Sequence, residues 1–316
     1  MNFLVIPSIR EHCLKDFMEQ WKPHLKDTDL WQNIIVIEDN AEKTFNLNLK
    51  HHYSWKEIDE DLKEDGWIIS RRDSAIRSYG FLMAYRLGAK YIFTLDDDCY
   101  PEPNENLLNH IDKIESTPAW TESILGMRTR GIPYFNLGRL KNVVANMGLW
   151  TNVPDYDSIQ ALYKRETEPF QPTVTDRIIP VGQYFPLCGM NFCFKREVAV
   201  LSYFALMGEN SPFRRFDDIW FGIIFKKICD HLGFLISVGH PFIHHSRASN
   251  PFTNLIKEAP GIQFNEEFWQ VIDRISLKGI TPQECMNEVG EALISEKNDY
   301  LQRLGNAIMV WVRYFS

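Results

Sequence analysis

A chain of 316 residues with 45% hydrophobic content and a formal net charge of −8 can bury a substantial core and gives no compositional sign of disorder. The acidic balance sets nucleic acid aside as a partner, because affinity for a phosphate backbone comes from clustered Lys and Arg. Six cysteines without a CxxC pair fit a reducing compartment, and no apolar run reaches the roughly 18 residues of a membrane span, so a soluble, cytoplasmic protein with no transmembrane segment is expected.

In chain order, short apolar runs bounded by polar or turn residues occur at Phe3–Ile6, Ile34–Ile37, Trp67–Ser70 and Tyr91–Leu95. Their length and lack of alternation predict buried parallel strands. Between them, Cys13–Trp21 and Ser74–Gly88 carry helical spacing, the second closed by a glycine suited to a C-cap. This alternation predicts βαβ units and an α/β fold with a mostly parallel central sheet flanked by helices. From about Pro101 to Pro186 the chain is irregular and rich in Pro, Asn and Tyr, which reads as long loops over a site. Helices are predicted next at Arg196–Met207 and Asp217–His231, with a strand at Phe234–Val238, before a C-terminal helical extension. Within that extension Thr281–Ile294 opens with a Thr cap, Pro282 and Glu284, and the terminal LGNAIMVWVRYF is expected to pack on the body or in a dimer contact.

The stretch YIFTLDDDCYP places Asp96, Asp97 and Asp98 where a buried strand ends, the edge at which ligands bind in parallel sheets. Three adjacent carboxylates repel one another and call for a cation or for hydrogen-bond donors. In extended backbone Asp96 and Asp98 share one side and Asp97 takes the other, a D-x-D pair suited to Mg²⁺ or Mn²⁺ bridging a diphosphate. A solvated acidic turn that caps the next helix is the competing reading. No two glycines stand at i and i+2, so GxGxxG is absent, as is GxxxxGK[ST], which argues against NAD and flavin sites. In RRFDDIWFG, Asp217 and Asp218 open a helix and are either caps or general acid/base groups. In FIHHSRASNPF, His245 stands at a plausible third position for a metal ligand.

Taken together, VIPSIR, RRDSAIRSYGF, LDDDC, RGIPY, GLWTNVPDYD, FPLCGMNFCFKRE, FALMG, RFDDIWFG, KKICDHLG and HSRASNPFTNLIKEAPGI resemble the reversibly glycosylated polypeptides, the UDP-arabinopyranose mutase family best known from plants. The blocks occur in the family's order over most of residues 3–262, and the match weakens around His51–Asp65 and beyond Gln263. The resemblance implies a GT-A type nucleotide-sugar fold over 1–262, with 263–316 as the helical extension, a divalent metal, a UDP-sugar substrate and self-glycosylation at an arginine. It carries the metal motif to Asp96, Asp97 and Asp98 and the glycosylated arginine to Arg130. Pro7, Ser8 and Arg10 at the first strand's end, Glu38 and Asp39 at the second's, Asp96 and Asp97 are expected at the nucleotide, and Arg77 at its diphosphate. Trp150, Cys188, Gly189, Asn191 and Trp220 are expected around the sugar, with Asp217 and Asp218 handling protons. A guanidinium is a poor nucleophile, so Arg130 is expected to clamp the departing UDP, with any adduct a side reaction. The implied activity is a flavin-independent interconversion of UDP-L-arabinopyranose and UDP-L-arabinofuranose, in a homo-oligomer or a complex with homologues where the chain associates. A metal-dependent glycosyltransferase sharing the same donor site, and a noncatalytic scaffold, are the alternatives.

Overall fold

A computed structural model of the chain describes residues 1–120, 130–164, 169–173, 176–209, 211–246 and 250–315. Nine strands, β1 (Asn2–Ser8), β2 (Ile34–Glu38), β3 (His51–Tyr53), β4 (Tyr91–Leu95), β5 (Cys99–Pro101), β6 (Val143–Asn152), β7 (Arg177–Ile178), β8 (Asn191–Lys195) and β9 (Leu235–His245), form one sheet in the order β3-β2-β1-β4-β8-β6-β9-β5, with β7 paired to β9. The helices are α1 (Glu11–Leu25), α2 (Asp29–Gln32), α3 (Trp55–Leu62), α4 (Arg77–Arg86), α5 (Asn109–Ser116), α6 (Ser158–Lys164), α7 (Asp217–His231), α8 (Pro251–Arg274), α9 (Pro282–Ser295) and α10 (Asp299–Val312).

The α/β architecture matches expectation, and β1, β2 and β4 pair in parallel as their unbroken apolar runs require. Beyond β4 the sheet departs from the parallel reading: β4 and β6 each pair antiparallel with β8, and β5 and β7 pair antiparallel with β9. Because β6 and β9 are parallel to each other, the carboxyl ends of β1, β2, β4, β6 and β9 and the amino end of β8 share one edge. The three aspartates after β4 leave from that edge.

Three predicted elements fail for local reasons. Trp67–Ser70 is not a strand; Lys63–Ile68 winds as 3₁₀ helix with Trp67 39% exposed, and the edge position beside β2 belongs to β3, whose sequence HHY lacks an apolar signal. Arg196–Met207 is helical only as 3₁₀ over Arg196–Leu201, although the irregular remainder is buried. Within the supposed long loops runs β6, the longest partner of β9, hidden because Asn146 and Gly148 interrupt its apolar pattern.

α4 packs closely on β1, where a Cβ at Gly80 would come within 2.4 Å of Val5, so only a glycine permits that approach. The C-terminal helices join the same core: the Trp311 indole is fully buried and donates to the Val200 carbonyl at 2.8 Å, and α9 carries the predicted capping box of Thr281 and Glu284. α8 runs unbroken through position 262, so the helical extension begins within a helix that starts at Pro251. No helix among the described residues is long and apolar enough to cross a membrane.

Candidate active site

The chain turns as soon as β4 ends, the Cys99 amide donating to the Asp96 carbonyl at 3.1 Å, so the alternation expected of extended backbone does not apply to the aspartates. Asp97 and Asp98 instead share Arg10, whose Nη2 hydrogen-bonds both, the latter at 3.0 Å. Asp97 is 3% exposed and also accepts the Ser8 hydroxyl, tying the ends of β1 and β4 together. Burial pushes its carboxyl up against the opposing pull of Arg10 and Ser8. Asp96 pairs instead with Arg77. There burial also works against ionisation, but the charge and hydrogen bond of Arg77 prevail and hold Asp96 below the usual range.

Arg77 is itself 2% exposed, which removes it from the expected place at a diphosphate. Its Nε donates to the Ser74 carbonyl at 3.1 Å, its Nη1 to Thr94 Oγ1 at 2.9 Å and to the Gly189 carbonyl at 2.6 Å, and its Nη2 to Asp96. It fixes the β4 terminus, the start of α4 and the segment entering β8 around one guanidinium. Gly189 is part of this arrangement, since a Cβ there would stand 2.7 Å from the Phe204 ring and 2.9 Å from Arg77 Nη1.

Asp217 and Asp218 begin α7 at the same edge. Asp217 is 2% exposed and accepts the Ser74 hydroxyl at 2.8 Å, while Asp218 accepts the Gly189 amide at 3.2 Å. A helix amino terminus favours negative charge, yet burial and the neighbouring Asp218 charge push Asp217 up to about 7, and burial with the charge of Asp155 pushes Asp218 up to about 6. Two further carboxyls belong to the group. Asp73, just before Ser74, is driven well up by burial and by Asp217; Asp155, beyond β6, is raised by desolvation of its carboxyl, although the residue as a whole is exposed, and despite the 3.1 Å hydrogen bond from Cys188 Sγ. Asp155 acts on Asp218 on α7, on Cys188 before β8 and on Arg215, which brings the loop after β6 close to the start of α7 and the entry to β8. Asp155 lies in DYD and Asp73 in RRDSAIR, and nothing in either local sequence sets the acid apart from other surface carboxylates.

The other expected ligands divide. Pro7 lies at the end of β1, in register with Ile37. Glu38 is fully buried and accepts from Asn40, Thr44, Phe45 and His52, and Asp39 accepts from Trp55 Nε1 and the amides of Arg72 and Asp73, so both carboxylates are spent in organising loops. Asn191 is fully buried, donating to the carbonyls of Leu149 and Pro241 and bonding His110, which makes it a staple of the sheet and leaves no amide for a sugar. Trp220 is likewise withdrawn from the sugar: its ring is fully buried among Phe213, Phe216, Phe264, Phe268 and Tyr300, with Nε1 donating to Asn265 at 2.9 Å. The spacing of Trp220 with Ile223, Ile224 and Phe225 is the sequence signal for that inward face. Trp150 is half-buried near the end of β6, and Cys188 is buried with its thiol pushed well up, unsuited to a nucleophile. Arg130 is exposed in a turn, and among the described residues the guanidiniums that pair with the three aspartates are Arg10 and Arg77.

For a divalent cation the donor chemistry fits. Asp96 and Asp98 offer hard oxygens, and His245, in register with Cys99, commits its Nδ1 to the Val153 carbonyl at 2.9 Å, so that nitrogen carries the proton and Nε2 keeps a lone pair. The three are neighbours along the edge, the Asp98 carbonyl accepting from the Ser246 amide and hydroxyl, but among the described residues no three His, Cys, Asp or Glu side chains converge on one point. A cavity of about 860 Å³ near Trp67, Gln302, Arg303 and Arg313 lies elsewhere and is lined by a single carboxylate, Asp299.

Comparison with known proteins covers nearly the whole chain. The model of the family described as reversibly glycosylated polypeptide matches residues 3–316. UDP-arabinopyranose mutase 1 of Arabidopsis thaliana is 35% identical over 336 residues, covering 98% of this chain and 90% of its own, and UDP-arabinopyranose mutase 2 of the same plant is 34% identical with 98% and 89% covered. Among solved structures, mannosyl-3-phosphoglycerate synthase from Rubrobacter xylanophilus aligns over 88% of this chain and 77% of its own at 10% identity, with a TM-score of 0.45.

Proposed function

This chain belongs to the reversibly glycosylated polypeptide family, and from that premise we propose that it interconverts the pyranose and furanose forms of a UDP-sugar. The name carried by its relatives points to UDP-L-arabinopyranose and UDP-L-arabinofuranose as the pair. The observation that carries the reading is the adjacent Asp217 and Asp218, lifted to about 7 and about 6, so that near neutral pH the two carboxyls hold about one proton between them.

Ring contraction needs that proton balance. The bond from C1 to UDP breaks, O4 attacks C1 and gives up its proton, the old bond from C1 to O5 breaks and O5 takes a proton, and UDP returns to C1. One proton leaves the sugar and one is restored, with no net oxidation, so a flavin is not required by the stoichiometry. Asp218, the less buried of the two, is the one that meets the sugar, and Asp217 behind it shares the proton, so the pair supplies both transfers and ends as it began. The helix start fixes the pair, Ser74 orients Asp217, and the Gly189 amide orients Asp218. Asp96, Asp98 and His245 would hold Mg²⁺ or Mn²⁺, which when bound neutralises charge on the diphosphate. Retention of UDP beside the sugar during the exchange makes its return effectively intramolecular.

The test is incubation of the purified protein with a panel of UDP-sugars in the presence of Mn²⁺, with the isomers resolved by NMR. Conversion of UDP-arabinose from either ring form to one mixture is expected, and Asp218→Asn should slow it by at least about 100-fold. Net transfer of the sugar to an acceptor without isomerisation, or full activity in Asp218→Asn, would overturn the assignment.

A further inference from the structure

We propose that Arg215 binds the diphosphate of the nucleotide-sugar and that Glu258 holds it in position for that task. The inference rests on the UDP-sugar reading above and adds a residue to which neither the sequence motifs nor the family resemblance gave a role.

Arg215 occupies the left-handed backbone region, with φ of 64°, immediately before the Phe216 that precedes Asp217. A long side chain there costs energy that a glycine would not, so something must favour the guanidinium at this spot. Its Nε donates to Glu258 Oε1 at 2.6 Å, and the Glu258 side chain is only 4% exposed while that of Arg215 is 43% exposed. The other oxygen of Glu258 accepts the Ser158 amide at 2.8 Å, so one buried carboxylate on α8 ties down both the first residue of α6 and Arg215. The tether uses only Nε. Among the described residues Glu258 is the sole hydrogen-bond partner of Arg215, and its two Nη groups present N–H donors with no protein acceptor.

Chain position places those donors beside the carboxyls, since Arg215 stands two residues before Asp217 at the start of α7. Asp155 and Asp217 both act on Arg215, and both belong to the carboxyl group described above. A diphosphate approaching seven aspartates needs a cation with unused donors. Arg10 is bound to Asp97 and Asp98, and Arg77 is buried and bound to Asp96, whereas the fork of Arg215 is half open and matches phosphate oxygens. The tether also removes much of the rotamer freedom that a surface arginine would lose on binding.

Calorimetric titration with UDP and, separately, with uridine, in the presence of Mg²⁺, separates the possibilities. Arg215→Gly deletes the guanidinium and relieves the left-handed backbone but leaves the buried Glu258 without its charge partner, so titrations are run at a temperature where thermal melting shows the variant folded. Its affinity for UDP should fall at least about tenfold while that for uridine stays within about twofold, because only the phosphate contacts are lost. Arg215→Lys should recover part of the loss, and Glu258→Gln should weaken UDP binding by about threefold or more without affecting uridine. Unchanged UDP affinity in Arg215→Gly, or parallel losses for UDP and uridine, would overturn the proposal. If the parent chain binds neither ligand, the UDP-sugar reading fails and this inference fails with it; if the parent binds UDP and converts UDP-arabinose while Arg215→Gly binds UDP normally, only this inference fails.

Discussion

Replacing Asp217 by Asn should stabilise the protein while disabling it. The carboxyl is 2% exposed and lifted from the ordinary 3.8 to about 7, by burial and by the charge of Asp218. Roughly three tenfold steps at about 1.4 kcal/mol each put the cost of holding it ionised on the order of 4 kcal/mol, part of which is shared with Asp218. Since the folded value exceeds the unfolded one, the folded chain retains a proton that the unfolded chain has released between about pH 4 and pH 7, and stability falls as pH rises through that window. Below it both states are protonated, and above it the penalty is constant. Asn at 217 still accepts the Ser74 hydroxyl but has nothing to ionise. Urea unfolding should therefore show little difference between parent and variant near pH 4 and a gain of a few kcal/mol near pH 8, alongside loss of isomerisation. A gap that stays constant between these two conditions, or a variant less stable at both, would refute the reasoning that the site stores strain in this carboxyl.

Gly189→Ala should cost about 1–3 kcal/mol, because its Cβ would press on Phe204 and on Arg77 Nη1, and should reduce turnover as well; a melting temperature unchanged from the parent would refute that packing argument. Trp220→Ala should cost about 3–5 kcal/mol of stability and leave KM for the UDP-sugar unaltered at a temperature where the variant is folded, whereas a raised KM with unchanged stability would return the indole to the sugar. Arg130→Ala, which alters an exposed turn, should abolish any sugar adduct seen by intact-protein mass measurement while lowering isomerisation by less than about tenfold, and complete loss of turnover would make Arg130 part of the chemistry.

The parallel half of the sheet was readable because β1, β2 and β4 carry short, mostly apolar runs closed by polar turns, and β4 delivers its aspartates to the expected edge. α7 was readable to the residue, since Asp217 opens a long, largely apolar segment. β3 was not, because a short edge strand such as HHY needs no apolar run when its neighbour supplies the pairing. The same limit governs the site. Sequence order marks Asp96, Asp97 and Asp98 as acidic and close, but which guanidinium each meets depends on a turn formed after Leu95 and on residues 19 and 87 positions away. Asp155 and Arg215 acquire their roles only through neighbours from other elements, so their local sequence is silent about them.

Arg77 joins three segments through one side chain, and this has a consequence for dissecting the site by mutation. Ser74, Thr94, Asp96 and Gly189 all hold the same guanidinium, so removing any one frees the rest to shift together. Single-alanine losses at Thr94 and Asp96 will then sum to more than the loss in the double variant, and a ranking of residues by individual effect will credit each with work that belongs to the set. The informative quantity is the coupling between pairs, measured against Arg77→Lys, which retains the charge but cannot reproduce the fork.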